Sequence, residues 1–454
     1  MRKNFWQISF ALTLILGLFL RVYKIGSNYF FTGELGKELL YMRQFAIKGT
    51  LPLTGMATSH EWLSYGPIYY WIMIPVFKLF NGNPYILFWS AFTVAILGLA
   101  LNYFVIKRIA NEKIAMLSTM IQTFSPLLIW QTRLSKLHVF FFLLMPVFTY
   151  LLYLMWETPS SAKASEGRGK WVFWAGLTFG ILFSFHFSQI PILGVVILLF
   201  LIKKELYKVK DWFLFGLGVV LPNITLLWQD KSLALWLPYR VINFADKNPG
   251  GTLFAITEYF GKTIFWNQGL WIIGLLIFAA VFFHYIYVNK ERLSQDFLPF
   301  YLISSISLML VANILHGAPP VHYFLPIFTT VPILFAIYLS KIKFSQLIIF
   351  LILLTNLVSF GNDPLFFGDS TKFIPAIDFV PYGLQKTIAS FIVFDSKGND
   401  MSIRRIGPYD YFPEQYSQNY KYLIIESGGK LLDTSGNTYM ILESTQSAEI
   451  TVEK

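Results

Sequence analysis

The chain has 454 residues, 55% of them hydrophobic and 13% charged, with mean hydropathy +0.55 and a formal net charge of +11. Soluble domains carry about 25% charged residues, so the composition excludes an ordinary soluble fold and indicates a membrane protein, in which excess basic charge gathers in cytoplasmic loops rather than forming a nucleic-acid footprint. The absence of cysteine excludes disulfides, thiolate catalysis and cysteine-based metal sites.

The first apolar run, FWQISFALTLILGLFLRVY, is long for a signal-peptide core and no small-residue cleavage site follows it, so an uncleaved span is expected. Eleven spans are predicted, near residues 5–24, 85–106, 114–132, 139–156, 171–187, 190–202, 212–228, 269–288, 297–315, 323–340 and 344–361, the sixth short enough to be re-entrant. With the N-terminus inside, short cytoplasmic segments collect 16 of the 28 Lys/Arg that precede residue 362, among them Lys107, Arg108, Lys203 and Lys204. The positive-inside rule then puts the C-terminal end outside. Counting YGPIYYWIMIPVFKLF (Tyr65 to Phe80) as a span would reverse every later loop. Its two prolines and its Tyr/Trp content suit a surface or re-entrant helix on the outer face. The fold expected is therefore an all-α polytopic membrane domain over 1–361, with a large first outward loop at 25–84. A small extracytoplasmic domain, β-rich or α+β, follows over 362–454. That tail holds 8 basic and 12 acidic residues, and SFIVFD, YKYLIIES and TYMILES read as strands between turn-forming segments. No internal repeat is evident, and ETPSSAKASEGRGK is a polar cytoplasmic linker.

Few polar residues in this composition could carry chemistry. Glu34 and Glu38 are spaced i, i+4 and share a face if GELGKELLYMRQF is helical. They are either ordinary charges on a solvated interfacial helix or a general base with a raised pKa under a partly apolar roof. Gly33 and Gly36 flank Glu34 and allow close approach of backbone to a ligand. The third span leaves in SPLLIWQTRLSKLHVFFF, with Arg133, Lys136 and His138 at the outer boundary. Basic residues snorkel at span ends, yet these lie on the face that disfavours them, which fits an anionic partner such as a lipid phosphate. Arg240 is a weaker candidate of the same kind. His60, His138, His186, His316 and His322 fall on the outer side, His284 near the inner one. Each has an interfacial or core reading, and no HExxH-like spacing marks a metal site. A divalent metal stays open without being indicated.

The order of segments now matters: an apolar span, FTGELGKELL, then GTLPLTGMATSHEWLSYGPIYYWIMIPVFKLFNGNP, a span, KRIANEK, and a span ending SPLLIWQTR. This order resembles the lipid-phosphosugar-dependent glycosyltransferases of the GT-C superfamily, of the protein O-mannosyltransferase and aminoarabinose-transferase kind, over residues 1 to about 340. The resemblance implies that Glu34 stands where that family has its catalytic carboxylate, usually Asp. GPIYYW resembles a Pro-Leu-Tyr-Tyr stretch on the following surface helix, matching Pro67, Tyr69 and Tyr70. QTR resembles a Ser-Arg, placing Arg133 on the basic position, and VHYFLP resembles a late outward segment near the donor site, which makes His322 and Tyr323 candidates. Two departures stand out: Glu for Asp at 34, and Lys136 and His138 where many relatives have a second acidic residue. They leave metal dependence and the identity of the base open.

The activity so implied is inverting transfer of a sugar from a polyprenyl-phosphate donor to a hydroxyl of a glycan, lipid or protein acceptor at the bilayer surface, without nucleic acid. Glu34 would be the base. Arg133, Lys136 and Arg240 would face the donor phosphate, and Glu38, His60, Tyr69, Tyr70, His138, His186, His322 and Tyr323 would line the substrate site. The competing readings are a transporter or flippase of lipid-linked sugars, which would show charges near mid-span, inverted repeats or broken helices, and a non-catalytic GT-C scaffold.

Overall fold

The computed structural model describes residues 2–58, 63–158, 162–204, 207–229, 249–265, 269–316, 321–361, 380–407, 413–432, 437–443 and 448–453. His60 and Arg240 lie outside the described residues.

The apolar runs fold as helices because a backbone out of water must satisfy its hydrogen bonds internally. In chain order they are α1 (Arg2–Val22), α2 (Ile25–Asn28), α3 (Gly33–Lys48), α4 (Ile68–Leu79), α5 (Tyr85–Ile109), α6 (Glu112–Phe124), α7 (Pro126–Leu134), α8 (Phe141–Glu157), α9 (Ala162–Phe185), α10 (Ile190–Ile202), α11 (Val209–Val220) and α12 (Ile224–Gln229). There follow α13 (Pro249–Lys262), α14 (Trp271–Asn289), α15 (Phe297–His316), α16 (Leu325–Lys341), α17 (Ser345–Gly361), α18 (Tyr382–Asp395) and α19 (Pro413–Glu426). Each expected span coincides with a helix or a pair of helices. Among the described residues, six helical stretches are long and apolar enough to cross a membrane, from Tyr85–Ile109 to Val321–Lys341, and shorter apolar helices include Trp6–Val22, Phe187–Ile202 and Ser345–Gly361. The fold is thus the expected all-helical polytopic one with a small α+β C-terminal part.

The third span is broken. Pro126 has no N–H to offer the carbonyl of Gln122, so α6 stops at Phe124 and α7 starts anew at Pro126. Arg21, buried at the end of α1, donates Nη1 to the carbonyl of Thr123 at 2.7 Å and Nη2 to that of Gln122 at 3.5 Å. Arg133 on α7 returns the favour: its Nη1 donates to the carbonyls of Leu20, Arg21 and Tyr23 at 3.2, 3.3 and 2.9 Å. Cations at the C-terminal end of α1 satisfy its last carbonyls and complement its dipole.

The C-terminal part corrects the strand assignment. SFIVFD closes helix α18 and YKYLIIES lies mostly in α19, whereas TYMILE is a strand, β2 (Thr438–Glu443). Short runs of β-branched and aromatic residues do not by themselves separate strand from buried helix. Here burial of Ile388, Ala389 and Ile392 on one helix and of Tyr420, Leu423 and Ile424 on the other decides for helix. The strands β1 (Ser402–Ile406) and β2 pair in parallel with Ser402 opposite Thr438, across α19, and β3 (Ala448–Glu453) pairs antiparallel to β2 with Thr438 opposite Glu453. These helices dock on the first loop. Gln385 Nε2 donates to the carbonyl of Phe31 at 3.0 Å, Asn419 Nδ2 donates to Gln385 Oε1 at 2.8 Å, and the Tyr422 hydroxyl donates to the carbonyl of Gly82.

Candidate active site

The site forms where the first loop meets breaks in three other segments. Helix α3 starts after Thr32 and carries Glu34 in its first turn and Glu38 one turn on. The two glutamates share a face as the spacing required, but their surroundings differ: the Glu34 side chain is 46% exposed and Glu38 is buried. Helix α4 lies across α3 and brings Tyr69, whose hydroxyl donates to Glu38 Oε2 at 3.1 Å. Tyr70 is fully buried, edge-on to Tyr41 at 4.8 Å and to Tyr69 at 5.1 Å. It interacts electrostatically with Glu38 and Tyr65 as well.

The loop before α4 is held against the end of α9. The Gly66 amide donates to the carbonyl of Ser184 at 2.7 Å, and a Cβ at Gly66 would overlap the Ser184 side chain. This close approach places Tyr65 beside His186, ring centroids 5.7 Å apart. Tyr65 interacts electrostatically with Glu34, Glu38 and Tyr323, so it links the carboxylates to the histidines.

After α7 the chain turns through Ser135, a non-glycine residue at φ 57°. A left-handed residue costs free energy and persists where its surroundings impose it; here it turns Lys136 and His138 back under α3. Lys136 forms an ion pair with Glu34. His138 is the second residue of the 3-10 turn Leu137–Phe140 and is almost fully buried. His186 precedes another 3-10 turn, Phe187–Gln189, and His322 stands in a third, Val321–Phe324, ahead of α16. The rings meet: His138 stacks on His322 at 4.1 Å and 15°, and His186 lies 4.9 Å from each of them. Tyr323 closes the group 4.9 Å from His186. Three imidazoles with this convergence could hold a metal, a possibility no motif spacing revealed.

Of the residues picked out by sequence, Glu34, Glu38, Tyr69, Lys136, His138, His186, His322 and Tyr323 come together. Arg133 lies three residues before Lys136, with its Nη1 on the carbonyls of Leu20, Arg21 and Tyr23 at and just beyond the end of α1. Missed were Tyr65, hidden in an apolar run, and Ser135, whose positive φ no sequence rule required.

Burial is the main cause that pushes the Glu38 carboxyl up to about 8; the Tyr69 hydrogen bond opposes the shift, the Glu34 charge adds to it and Lys136 opposes it. An ordinary glutamate titrates near 4.3. Between these values the unfolded chain ionises while the folded one keeps its proton, so this carboxyl's contribution to stability is complete below about pH 4 and is lost as pH rises through about 8. Thermal unfolding in detergent at a series of pH values should follow that loss, at no more than about 1.4 kcal/mol per pH unit. Glu38→Gln, neutral throughout, should flatten this component; an unchanged slope in the variant would assign the proton elsewhere.

Residues 64–228 match the family model described as dolichyl-phosphate-mannose-protein mannosyltransferase. No curated protein matches the chain by sequence. Among solved structures, ArnT from Cupriavidus metallidurans in the apo state is similar with a TM-score of 0.63 at 12% identity, over 97% of this chain and 93% of that one. ArnT bound to undecaprenyl phosphate matches at 0.57 and 12% identity, over 92% and 76%. AglB from Archaeoglobus fulgidus, in complex with an inhibitory peptide and a dolichol-phosphate, matches at 0.52 and 9% identity, over 93% of this chain and 64% of that one. The GT-C resemblance read in the sequence is borne out: the chain has an ArnT-like GT-C membrane fold.

Proposed function

We propose that this GT-C chain is an integral-membrane glycosyltransferase that moves a sugar from a polyprenyl-phosphate donor to an acceptor hydroxyl on the extracytoplasmic face, with inversion. The observation that carries the reading is the Glu34–Lys136 pair, a base and a cation held together at the edge of a buried polar site, on a fold whose solved examples include ArnT with undecaprenyl phosphate and AglB with a dolichol-phosphate.

The donor brings its own leaving group. The acceptor oxygen attacks the anomeric carbon, the carbon–oxygen bond to phosphate breaks, and its electron pair leaves on the phosphate. Lys136 stabilises that developing charge, and the acceptor proton passes to Glu34. A single displacement of this kind inverts the anomeric centre. Before the donor arrives, Lys136 neutralises Glu34; the arriving phosphate competes for the ammonium and leaves the carboxylate available to the acceptor. Glu38, with its raised pKa, serves as a neutral hydrogen-bonding group rather than a second base. Tyr69, His138, His186, His322 and Tyr323 line the substrate space, and Arg240 and His60 are assigned to the donor phosphate and the substrate by position in the sequence. The short basic loops support an N-terminus in the cytoplasm and the C-terminal part outside.

The test is transfer from a panel of radiolabelled polyprenyl-phosphate sugars in membranes carrying wild type or Glu34→Ala, fractionated into lipid, glycan and protein. Label should enter one fraction with wild type and vanish with the variant. Facilitated crossing of labelled lipid-linked sugar, without transfer and insensitive to Glu34→Ala, would give the chain to the transporters.

A further inference from the structure

Three points far apart in the sequence, each at a break beside a helix end, deliver one imidazole apiece to one place. One ring nitrogen from each of His138, His186 and His322 lies within 4.8 Å of the others. Both nitrogens of His138 are buried without a hydrogen-bond partner. A buried polar group left unsatisfied costs about 1–3 kcal/mol, and such groups in native proteins ordinarily have a partner. A side chain so placed, aimed at two further imidazoles, points to a ligand that takes lone pairs.

We propose that His138, His186 and His322 form a three-histidine site for a zinc-class divalent cation, with the fourth position open to an oxygen ligand. Three neutral imidazoles and no carboxylate select Zn²⁺ or Co²⁺ over Mg²⁺ or Ca²⁺, which require oxygen ligands. Three protein ligands with a vacant fourth position are the pattern of reactive rather than purely structural zinc sites. The surroundings fit. Ser188 orients the His186 ring, as outer-shell partners of metal-bound histidines do: its amide donates to Nδ1 at 3.2 Å and its Oγ lies 2.7 Å from the same nitrogen. With Zn–N bonds of about 2.0–2.1 Å, tetrahedral ligand nitrogens stand roughly 3.3 Å apart. Ligation therefore draws the nitrogens together by up to about 1.5 Å, and His322 is the least buried of the three. Lys136 lies within electrostatic reach of His138 and His322, and its charge is offset by Glu34. The cation's use in the reaction, holding an oxygen of the donor or acceptor, rests on the transferase reading; its binding does not.

The experiment takes tag-free full-length protein in detergent, strips it with a chelator, equilibrates it with Zn²⁺, Co²⁺ or Mg²⁺, and measures metal per chain together with visible Co²⁺ absorption. One Zn²⁺ or Co²⁺ per chain is expected, with tetrahedral cobalt bands and no stoichiometric Mg²⁺. His138→Ala and His322→Ala should each lose the metal and the bands, and Ser188→Ala should weaken binding by about 10–100-fold. X-ray absorption at the zinc edge of the wild type counts imidazole ligands without any variant and decides the case even where an alanine variant does not fold. Three imidazoles support the site. Fewer than three, no bound Zn²⁺ or Co²⁺, or full metal content in a folded His138→Ala protein overturns it. Because metal content and ligand count are read without turnover, their failure is separate from a failure of the transferase assay.

Discussion

Glu34→Gln is expected to lower transfer by about 10²–10⁴-fold, the range that a positioned general base contributes, while leaving the donor bound as tightly as before or more tightly. The direction follows from the ion pair. Lys136 is paired with Glu34 in the structure, and under the proposed function it would be shared with the incoming phosphate; glutamine keeps the shape of the side chain and gives up the charge, so the ammonium would belong to the phosphate alone. The loss should therefore appear in kcat, with KM for the donor unchanged or reduced, the signature of an interaction needed in the transition state and not in the ground state. Each tenfold loss corresponds to about 1.4 kcal/mol of activation free energy. Donor binding by calorimetry and turnover by label transfer, on the same preparation, separate the two effects. Loss of donor affinity with kcat preserved would move Glu34 from base to binding group. A fully active Glu34→Gln enzyme would hand the role of base to another residue. Lys136→Ala provides the complement: it frees Glu34 but leaves the departing phosphate without its ammonium.

The sequence made the membrane architecture readable because a membrane helix is written in a continuous apolar run. The i, i+4 spacing of the two glutamates also translated directly into a shared helical face. What spacing could not say is that one of them would be buried against Tyr69 and the other left at the rim; that depends on α4 lying across α3, a contact between distant segments. The Glu34–Lys136 pair is likewise set by the turn at Ser135, a residue with no intrinsic preference for a positive φ. Arg133 illustrates the reverse case. Its place at a span exit fits a phosphate ligand as well as a helix cap, and only the packed structure shows which carbonyls its Nη1 reaches. The histidines lay at three separated span ends, and nothing short of the packed structure joins them. In the C-terminal part, the runs SFIVFD and YKYLIIES have the composition of strands and the environment of helices, and packing overrode propensity.

The packing of the C-terminal helices on α3 yields the second large effect. Gly36 stands between Glu34 and Glu38, where α19 crosses, and a Cβ there would run into the backbone at Gln418 and Asn419. Backbone cannot rotate aside as the end of a side chain can, so any residue larger than glycine must part the two helices. Gly36→Ala is expected to destabilise the protein by about 1–3 kcal/mol, the usual cost of overpacking, and Gly36→Leu by more. Activity should suffer beyond stability, because a shift of about 1 Å at a catalytic group costs roughly 10²-fold in rate. The same crossing is tied at its edge by Gln385, which bonds both the carbonyl of Phe31, two residues before α3, and that of Val380. Gln385→Ala should release the start of α3 and also Asn419, whose Nδ2 donates to Gln385 Oε1 beside the crossing, giving a smaller loss of rate than Gly36→Leu with a fall in stability of about 1–3 kcal/mol from the partners left unsatisfied. Melting temperature and turnover measured across Gly36→Ala, Gly36→Leu and Gln385→Ala test this order. If Gly36→Leu melted and turned over as the wild type does, α19 could not be seated on α3, and the C-terminal part would have no hold on the carboxylates.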